Sequence, residues 1–306
     1  MSGTLLLSLL LNGLQYGVLL FLLAAGLTLV FGIMSFVNLA HGALYMMGAY
    51  AAAVALNESG SFVVSILAGV GACMALGLFL EYTTVSRLYR RSHLDHVLAT
   101  FGMVMFFNEL TRIIWGNQPY FVSLPESLSG TFELLGFTYP IYRLLIIVVG
   151  LAVAAGSYWL IQRTRLGTLI RAGSVNPSLV GALGVNIRAL NALLFTIGAG
   201  LAGLAGAMAG PMLSVQSGMG DGVLVTVLVV IVIGGIGSVS GAFYAALIVG
   251  VVDTLGKALF PMLLREFFDR QLANAAGPAL ASMAVYLLMA VVLAVRPQGL
   301  FRLYKD

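Results

Sequence analysis

Apolar residues run through this chain in blocks long enough to cross a bilayer, with short polar or glycine-rich breaks between them. The blocks fall at about 5–33, 36–56, 62–86, 97–115, 141–161, 190–213, 223–237, 241–256 and 278–295. A helical span needs about 20 mostly apolar residues to cover a hydrocarbon core of about 30 Å. Nowhere does the pattern alternate in the ten-residue strands of a membrane β-barrel. It predicts an all-α polytopic membrane protein of about eight to nine transmembrane helices, some short or broken.

The blocks 223–237 and 241–256 form an unusual pair. Gly234, Gly235, Gly237, Ser238, Ser240 and Gly241 split one apolar run into pieces of about 15 residues, each about 22 Å of helix. Either two short helices flank a tight turn, or one long helix is kinked. Charge separates the two readings, because cytoplasmic loops are rich in Lys and Arg. Arg87, Arg90 and Arg91 follow the third block, and Arg163, Arg165, Arg171 and Arg188 follow the fifth. Arg296, Arg302 and Lys305 follow the last, while Glu58, Glu126, Glu133 and Asp221 fall in the opposite loops. All three basic clusters share one side only if 223–256 crosses twice. That topology has nine crossings, an outside N-terminus and a cytoplasmic C-terminus; a kinked helix gives eight. The stretch 257–277 mixes Lys257, Arg265 and Arg270 with Glu266 and Asp269 and reads as an amphipathic surface helix. The first block lacks the basic flank of a signal peptide and is too long for its apolar core, so it is expected to be a retained span.

Composition supports lipid as the solvent. Charged residues make up 8% and hydrophobic ones 60%, against about a quarter charged in soluble domains. The 37 glycines fit close helix approach in a membrane, with Gly13/Gly17 and Gly206/Gly210 as GxxxG pairs. Cys73 sits in an apolar run and is expected to be a small packing residue. The net charge of +4 is too small to suggest nucleic acid. The stretch Gly32 to Tyr45 faintly echoes Gly235 to Tyr244, each a glycine-rich break before an apolar run.

Polar groups inside apolar runs are rare enough to single out. Glu109 and Arg112 are spaced i, i+3, and Asp253 and Lys257 i, i+4, so both are expected to pair. Asn12, Gln15 and Asn108 could line a path or bond a neighbouring helix. Ser35, Asn38 and His41 form a polar knot in a glycine-flanked break. Two readings stand for Asn38 and His41: a cytoplasmic turn capped by Asn38, or an unwound segment turned toward a path. His93 and His96 lie among arginines and read as a solvated loop; a metal site would need further ligands, and none is expected.

The longest polar segment, 162–191, reads QRTRLGTLIRAGSVNPSLVGALGVNIRALN. Thr168 to Ala172 can form one or two helical turns. Asn176 suits an N-cap, Pro177 the first turn, and Gly184 a left-handed end. On these grounds alone a solvated basic linker is the simpler reading.

RAGSVNPSLVGALGVNIRALNALLFTIGAGLAGLAGAM resembles the coupling-loop signature of branched-chain amino acid ABC transporter permeases of the LivH/LivM type. VNLAHGALYMMGAY is similar to the family's N-terminal signature, and GGIGSVSGAFYAALIVG and RPQGLF to its C-terminal ones. The four matches run in order over nearly the whole chain. The resemblance implies one transmembrane permease domain, 1–306, with helices around a central translocation path and a cytoplasmic coupling loop at 162–191. Arg171, Ala172, Asn176, Pro177 and Gly184 would then couple to an ATPase, and Asn38, His41, Asn12, Gln15 and Asn108 are candidates for the path. It further implies a subunit of an importer in the bacterial inner membrane, N-terminus periplasmic, carrying branched-chain or related amino acids. Its partners would be a second homologous permease, two cytoplasmic ATPase subunits, an external solute-binding protein and lipid. The family often carries an acid where this chain has Asn176, and Glu where it has Ala43.

No stretch matches G-x-x-x-x-G-K-[ST], so ATP and Mg are expected on the partner ATPases, with no cofactor or catalytic site in this chain. Relatives that carry urea or short amides, and a stand-alone channel or secondary transporter, are the alternatives. An intramembrane enzyme is disfavoured by three histidines and one cysteine in unsuitable spacing.

Overall fold

The computed structural model describes residues 3–34, 38–89, 91–134 and 137–301. Ser35, Arg90, Arg302 and Lys305 lie outside the described residues. Helix α1 (Gly3–Met34) leads to α2 (Ala40–Ser59) and α3 (Phe62–Leu80). A π-helical turn (Glu81–Val85) carries α3 into the single turn α4 (Ser86–Leu88). Then come α5 (His93–Trp115), the short α6 (Glu126–Ser129) and strands β1 (Thr131–Leu134) and β2 (Phe137–Pro140). The strands pair antiparallel, Thr131 opposite Pro140. Helix α7 (Ile141–Arg163) precedes α8 (Arg165–Val175) and α9 (Pro177–Ala182). Helices α10 (Ile187–Ala209), α11 (Met219–Gly234), α12 (Val239–Leu264) and α13 (Arg270–Val295) complete the fold.

Among the described residues, α1, α3 with its continuation, α5, α7, α10, α12 and α13 are long and apolar enough to span a membrane. Every apolar block of the sequence became a helix, and the all-α polytopic class holds. The β1–β2 hairpin is the addition: T-F-E-L and F-T-Y-P are too short to stand out against the spans.

Helix α1 is the axis of the bundle, packed by α12, α10, α7 and α11. Its seam with α12 is glycine on glycine. A Cβ on Gly17 would lie 2.7 Å from the Ala246 carbonyl oxygen, and one on Gly250 would lie 2.5 Å from the Gly17 Cα. Gly13 meets Val251 in the same seam, so the first GxxxG pair packs as expected and the two helices run antiparallel. Of the second pair, Gly206 meets the α2 backbone, whereas Gly210 lies at the end of α10. Cys73 is fully buried and donates its thiol hydrogen to the Leu44 carbonyl at 3.1 Å.

Among the described residues, the segments that carry the basic clusters meet at one end. The Tyr89 hydroxyl reaches the Met34 sulfur at 3.6 Å, and Gly32 faces Gly237. Ile170 of α8 packs on Leu190 and Leu194 of α10. The segment after α13 is strapped to the end of α11, where the Leu300 amide donates to the Ile233 carbonyl (2.8 Å) and the Phe301 amide to the Gly234 carbonyl (3.1 Å).

Helices α11 and α12 are two helices around a tight turn, not one kinked helix. Gly235 (φ 99°) and Gly237 (φ 84°) supply left-handed backbone that other residues rarely adopt. Gly234 and Gly241 then touch: a Cβ on Gly234 would sit 2.5 Å from the Gly241 carbonyl carbon.

Two expectations are corrected. No surface helix occupies 257–277. Instead α12 continues to Leu264 and α13 begins at Arg270. The helix carries Lys257 because Asp253, one turn earlier, pairs with it, and Pro261 inside α12 is accommodated against Gly277. His93 and His96 are not in a loop but open α5 beneath a capping box formed by Ser92 and Asp95. His96 is buried, its Nε2 2.7 Å from the Leu88 carbonyl.

Candidate translocation and coupling sites

Helix α2 starts inside the bundle. A Cβ on Gly26 of α1 would lie 2.8 Å from His41 Nε2 and against the Gly198 carbonyl of α10. Gly26 lies eight residues before the end of α1, about 12 Å along the helix. Only glycine leaves room there for an imidazole wedged between α1 and α10. Asn38 is 0% exposed and His41 1%, so neither belongs to a solvated turn. Asn38 Oδ1 accepts from the Ala40 amide (3.1 Å) and its carbonyl from the His41 amide (3.2 Å). The residue before α2 is Leu39, with no side-chain cap, so Asn38 holds the turn from one position further back. Asn38 Nδ2, His41 Nε2 and Thr28 Oγ1 are buried polar atoms without a hydrogen-bond partner. Such groups are costly unless water or solute satisfies them.

One residue on, Gly42 packs against Gly220 at the start of α11; a Cβ on Gly42 would lie 2.8 Å from the Gly220 oxygen. This second helix start is tied to its surroundings. The Gly218 amide donates to the Met46 sulfur (3.3 Å), and the Ser217 hydroxyl to the Asn108 carbonyl (2.8 Å). Asn108 Nδ2 donates to Asp221 Oδ2 (3.1 Å). Asp221 therefore belongs to the first turn of α11, where an acid complements the helix dipole. Charge alone places it in a loop; the acid directly after G-M-G is the local signal of a helix start.

The path candidates occupy three places rather than one. His41 sits in the α1–α2–α10 contact, with Asn38 buried in the turn just before α2. Asn108 joins α5 to α11. On α1, Asn12 Oδ1 accepts from the Tyr139 hydroxyl (3.1 Å) and from Arg143, tying the axis helix to β2 and α7. Gln15, 3% exposed, donates to the Met212 sulfur at 3.4 Å.

Both intrahelical ion pairs form. Arg112 Nη1 lies 2.7 Å from Glu109 Oε1, and Lys257 Nζ 2.6 Å from Asp253 Oδ2. Asp253 is buried, whereas the Lys257 side chain is 47% exposed and lies over the Tyr16 ring. Lys257→Met strands that carboxylate. A broken buried pair costs about 3–5 kcal/mol, and partial exposure of the lysine lowers the expectation to about 2–3 kcal/mol. Thermal unfolding in detergent should show the loss, with D253L/K257M recovering most of it.

In the segment 162–191, Thr164 caps α8 by accepting the Gly167 amide (3.0 Å). Helix α8 has 11 residues, longer than the one or two turns read from Thr168 to Ala172. Asn176 caps α9, its Oδ1 accepting the Leu179 amide at 2.9 Å, and Pro177 opens the helix. Gly184 ends it with φ 90°. Ala172 is exposed, while Arg171 bends back and donates to the Ile161 carbonyl at the end of α7. Three large apolar side chains nearby are exposed: Val175 61%, Leu179 58% and Leu183 76%. Among the described residues no group of three or more metal-binding side chains occurs.

The chain is 30% identical over 266 residues to the high-affinity branched-chain amino acid transport system permease protein BraD of Pseudomonas aeruginosa, covering 82% of this chain and 86% of the relative. It is 27% identical over 268 residues to the corresponding LivH protein of Escherichia coli, covering 81% and 84%. The ribose import permease protein RbsC of Escherichia coli is 26% identical over 245 residues, covering 76% and 72%. No solved structure matches. A family model described as "Branched-chain amino acid transport system / permease component" spans residues 9–294. With a helix for each apolar block and that match over nearly its whole length, the chain is a multi-pass membrane protein and belongs to the branched-chain amino acid transport permease family.

Proposed function

We propose that this chain is the membrane-spanning subunit of an ATP-driven importer for branched-chain or related amino acids. In this reading it sits in the bacterial inner membrane with its arginine-bearing end in the cytoplasm. The observation that carries the proposal is the exposure of three large apolar side chains, Val175 at the end of α8 and Leu179 and Leu183 around α9. A segment held by its own caps yet presenting three large apolar side chains to water is a docking surface. The partner it fits is a groove on a cytoplasmic ATPase, since this chain carries no phosphate-binding loop. A second permease and an external binding protein complete the assembly. Solute would pass where Asn38 and His41 hold buried polar atoms beside the starts of α2 and α11. Coupling runs from α9 through α8 to α7, where Arg171 bonds the Ile161 carbonyl. ATP shifts access only if it stabilises one arrangement of these helices over the other.

The test is reconstitution of the chain with its permease partner, the ATPases and a leucine-loaded binding protein in vesicles. Leucine uptake should require ATP and vanish when the ATPases are omitted. Uphill uptake by the chain alone would overturn the ATP-driven reading. Stimulation by urea or short amides and not by leucine would overturn the solute assignment.

A further inference from the structure

Helices α7 and α12 both pack on α1 but barely touch each other, which leaves a cleft of about 650 Å³ between them. Its volume falls in the range of about 300–1,000 Å³ typical of ligand sites. Its floor is α1, with Thr28 and Gly32; its walls are Leu151 and Ala154 of α7 and Phe243 of α12. Tyr158 and Tyr244, on opposite walls, are 58% and 50% exposed, so the cleft opens sideways, toward hydrocarbon.

Its end at α8 and the start of α12 has a different chemistry. Arg171 and Ser174 of α8 roof it, and Ser238 and Ser240 at the start of α12 line it. The Ser238 hydroxyl accepts the Gly241 amide (3.1 Å), so the Val239 and Ser240 amides fall outside the helix ladder at the positive end of a 26-residue helix. Thr28, 1% exposed, adds a buried hydroxyl without a partner. The cleft is thus apolar and open to the membrane along its length, and cationic and hydroxyl-rich at the arginine-bearing end.

We infer that this cleft holds one anionic phospholipid, its phosphate under Arg171 at the start of α12 and its acyl chain along Leu151, Ala154 and Phe243. A basic pocket between helices at the membrane face selects anionic head groups. The sideways opening favours a lipid over a soluble anion, which would leave the apolar walls uncovered. Because Arg171 belongs to α8, the lipid would brace the link from α9 to α7. The inference needs the cleft's basic end to lie at a membrane face, and does not depend on which solute is carried.

Native mass spectrometry of the purified chain, relipidated with either phosphatidylglycerol or phosphatidylcholine, tests it. One phosphatidylglycerol should survive activation that strips the others, and no phosphatidylcholine should. Arg171→Gln should lower retention about tenfold, the weight of one charge-assisted contact. Ala154→Trp fills the cleft, leaves Arg171 in place and should abolish retention. Arg188→Gln, on the same end but outside the cleft, should not change it. Equal retention of both lipids, or unchanged retention in A154W, overturns the assignment. Displacement of the lipid by millimolar inorganic phosphate would make this a soluble-anion site and overturn it too.

Discussion

Gly206→Val should leave almost no folded protein. Gly206 of α10 lies directly on the backbone of α2. A Cβ there would sit 2.9 Å from the Tyr45 carbonyl carbon, 3.0 Å from the Ala49 nitrogen and nearer still to the Tyr45 oxygen. None of these atoms can rotate away, so the helices themselves must part. The same seam is closed one turn away, where a Cβ on Gly48 would lie 2.8 Å from the Gly203 oxygen. Gly203 meets α3 as well, with its built Cβ 2.7 Å from the Cys73 Cβ, and α2 and α3 pack on each other, so three helices close on this seam. Parting α10 from α2 therefore disturbs the α2–α3 and α10–α3 contacts too. Overpacking costs about 1–3 kcal/mol where side chains can adjust, and more where backbone must move. Against a total stability of about 5–15 kcal/mol, Gly206→Ala should cost about 3 kcal/mol and valine considerably more. Thermal unfolding in detergent, read by size-exclusion chromatography, measures both. Gly71→Ala is the control: nothing lies within 4 Å of its built Cβ, and the exchange inside a helix should stabilise by about 0.5–1 kcal/mol. Equal midpoints for G206A and G71A would mean that α2 and α10 do not pack in this way.

These glycines also mark how far the sequence could be read. The blocks of apolar residues became helices because in lipid no other structure satisfies every backbone group within one segment. The Asn176–Pro177 cap, the Gly184 end and both ion pairs were legible because each depends on neighbours at most a few positions away. The depth at which α2 starts was not. It is set by Gly26, His41 and Gly198, on three helices, and no local pattern reports such a contact. The continuation of α12 past Lys257 was hidden for a related reason. Hydropathy falls there, but the Asp253 partner and the Gly277 surface that receives Pro261 keep the helix intact. Among the path candidates, spacing placed Asn38 beside His41, and the His41 amide bonds the Asn38 carbonyl. It could not show that Asn12 is engaged by Tyr139 and Arg143, more than 120 residues away.

Leu179→Asp should abolish coupled uptake while leaving the fold untouched. The Leu179 side chain is 58% exposed, and what α9 requires of this residue is its amide, which bonds Asn176 Oδ1 at 2.9 Å. Aspartate supplies the same amide and places a negative charge in the first turn, where the helix dipole favours it. The residue that anchors α9 is its neighbour Val180, 5% exposed. Val180→Asp should therefore loosen the loop itself, and unfolding separates the two variants. In the assembled transporter the account reverses. Seating a leucine in an apolar groove contributes about 1.5–3 kcal/mol. An aspartate forfeits that and adds a desolvation cost of a few kcal/mol for an unpaired charge. A loss of about 4 kcal/mol or more corresponds to at least about a thousandfold weaker association. Purified ATPase should then fail to bind nanodiscs carrying L179D, and uptake should stop at an unchanged unfolding temperature. Leu183→Asp, on the most exposed residue of the three, should behave alike. Wild-type ATPase binding by both variants would mean that these apolar side chains dock nothing, and the arginine-bearing end would have to be driven some other way.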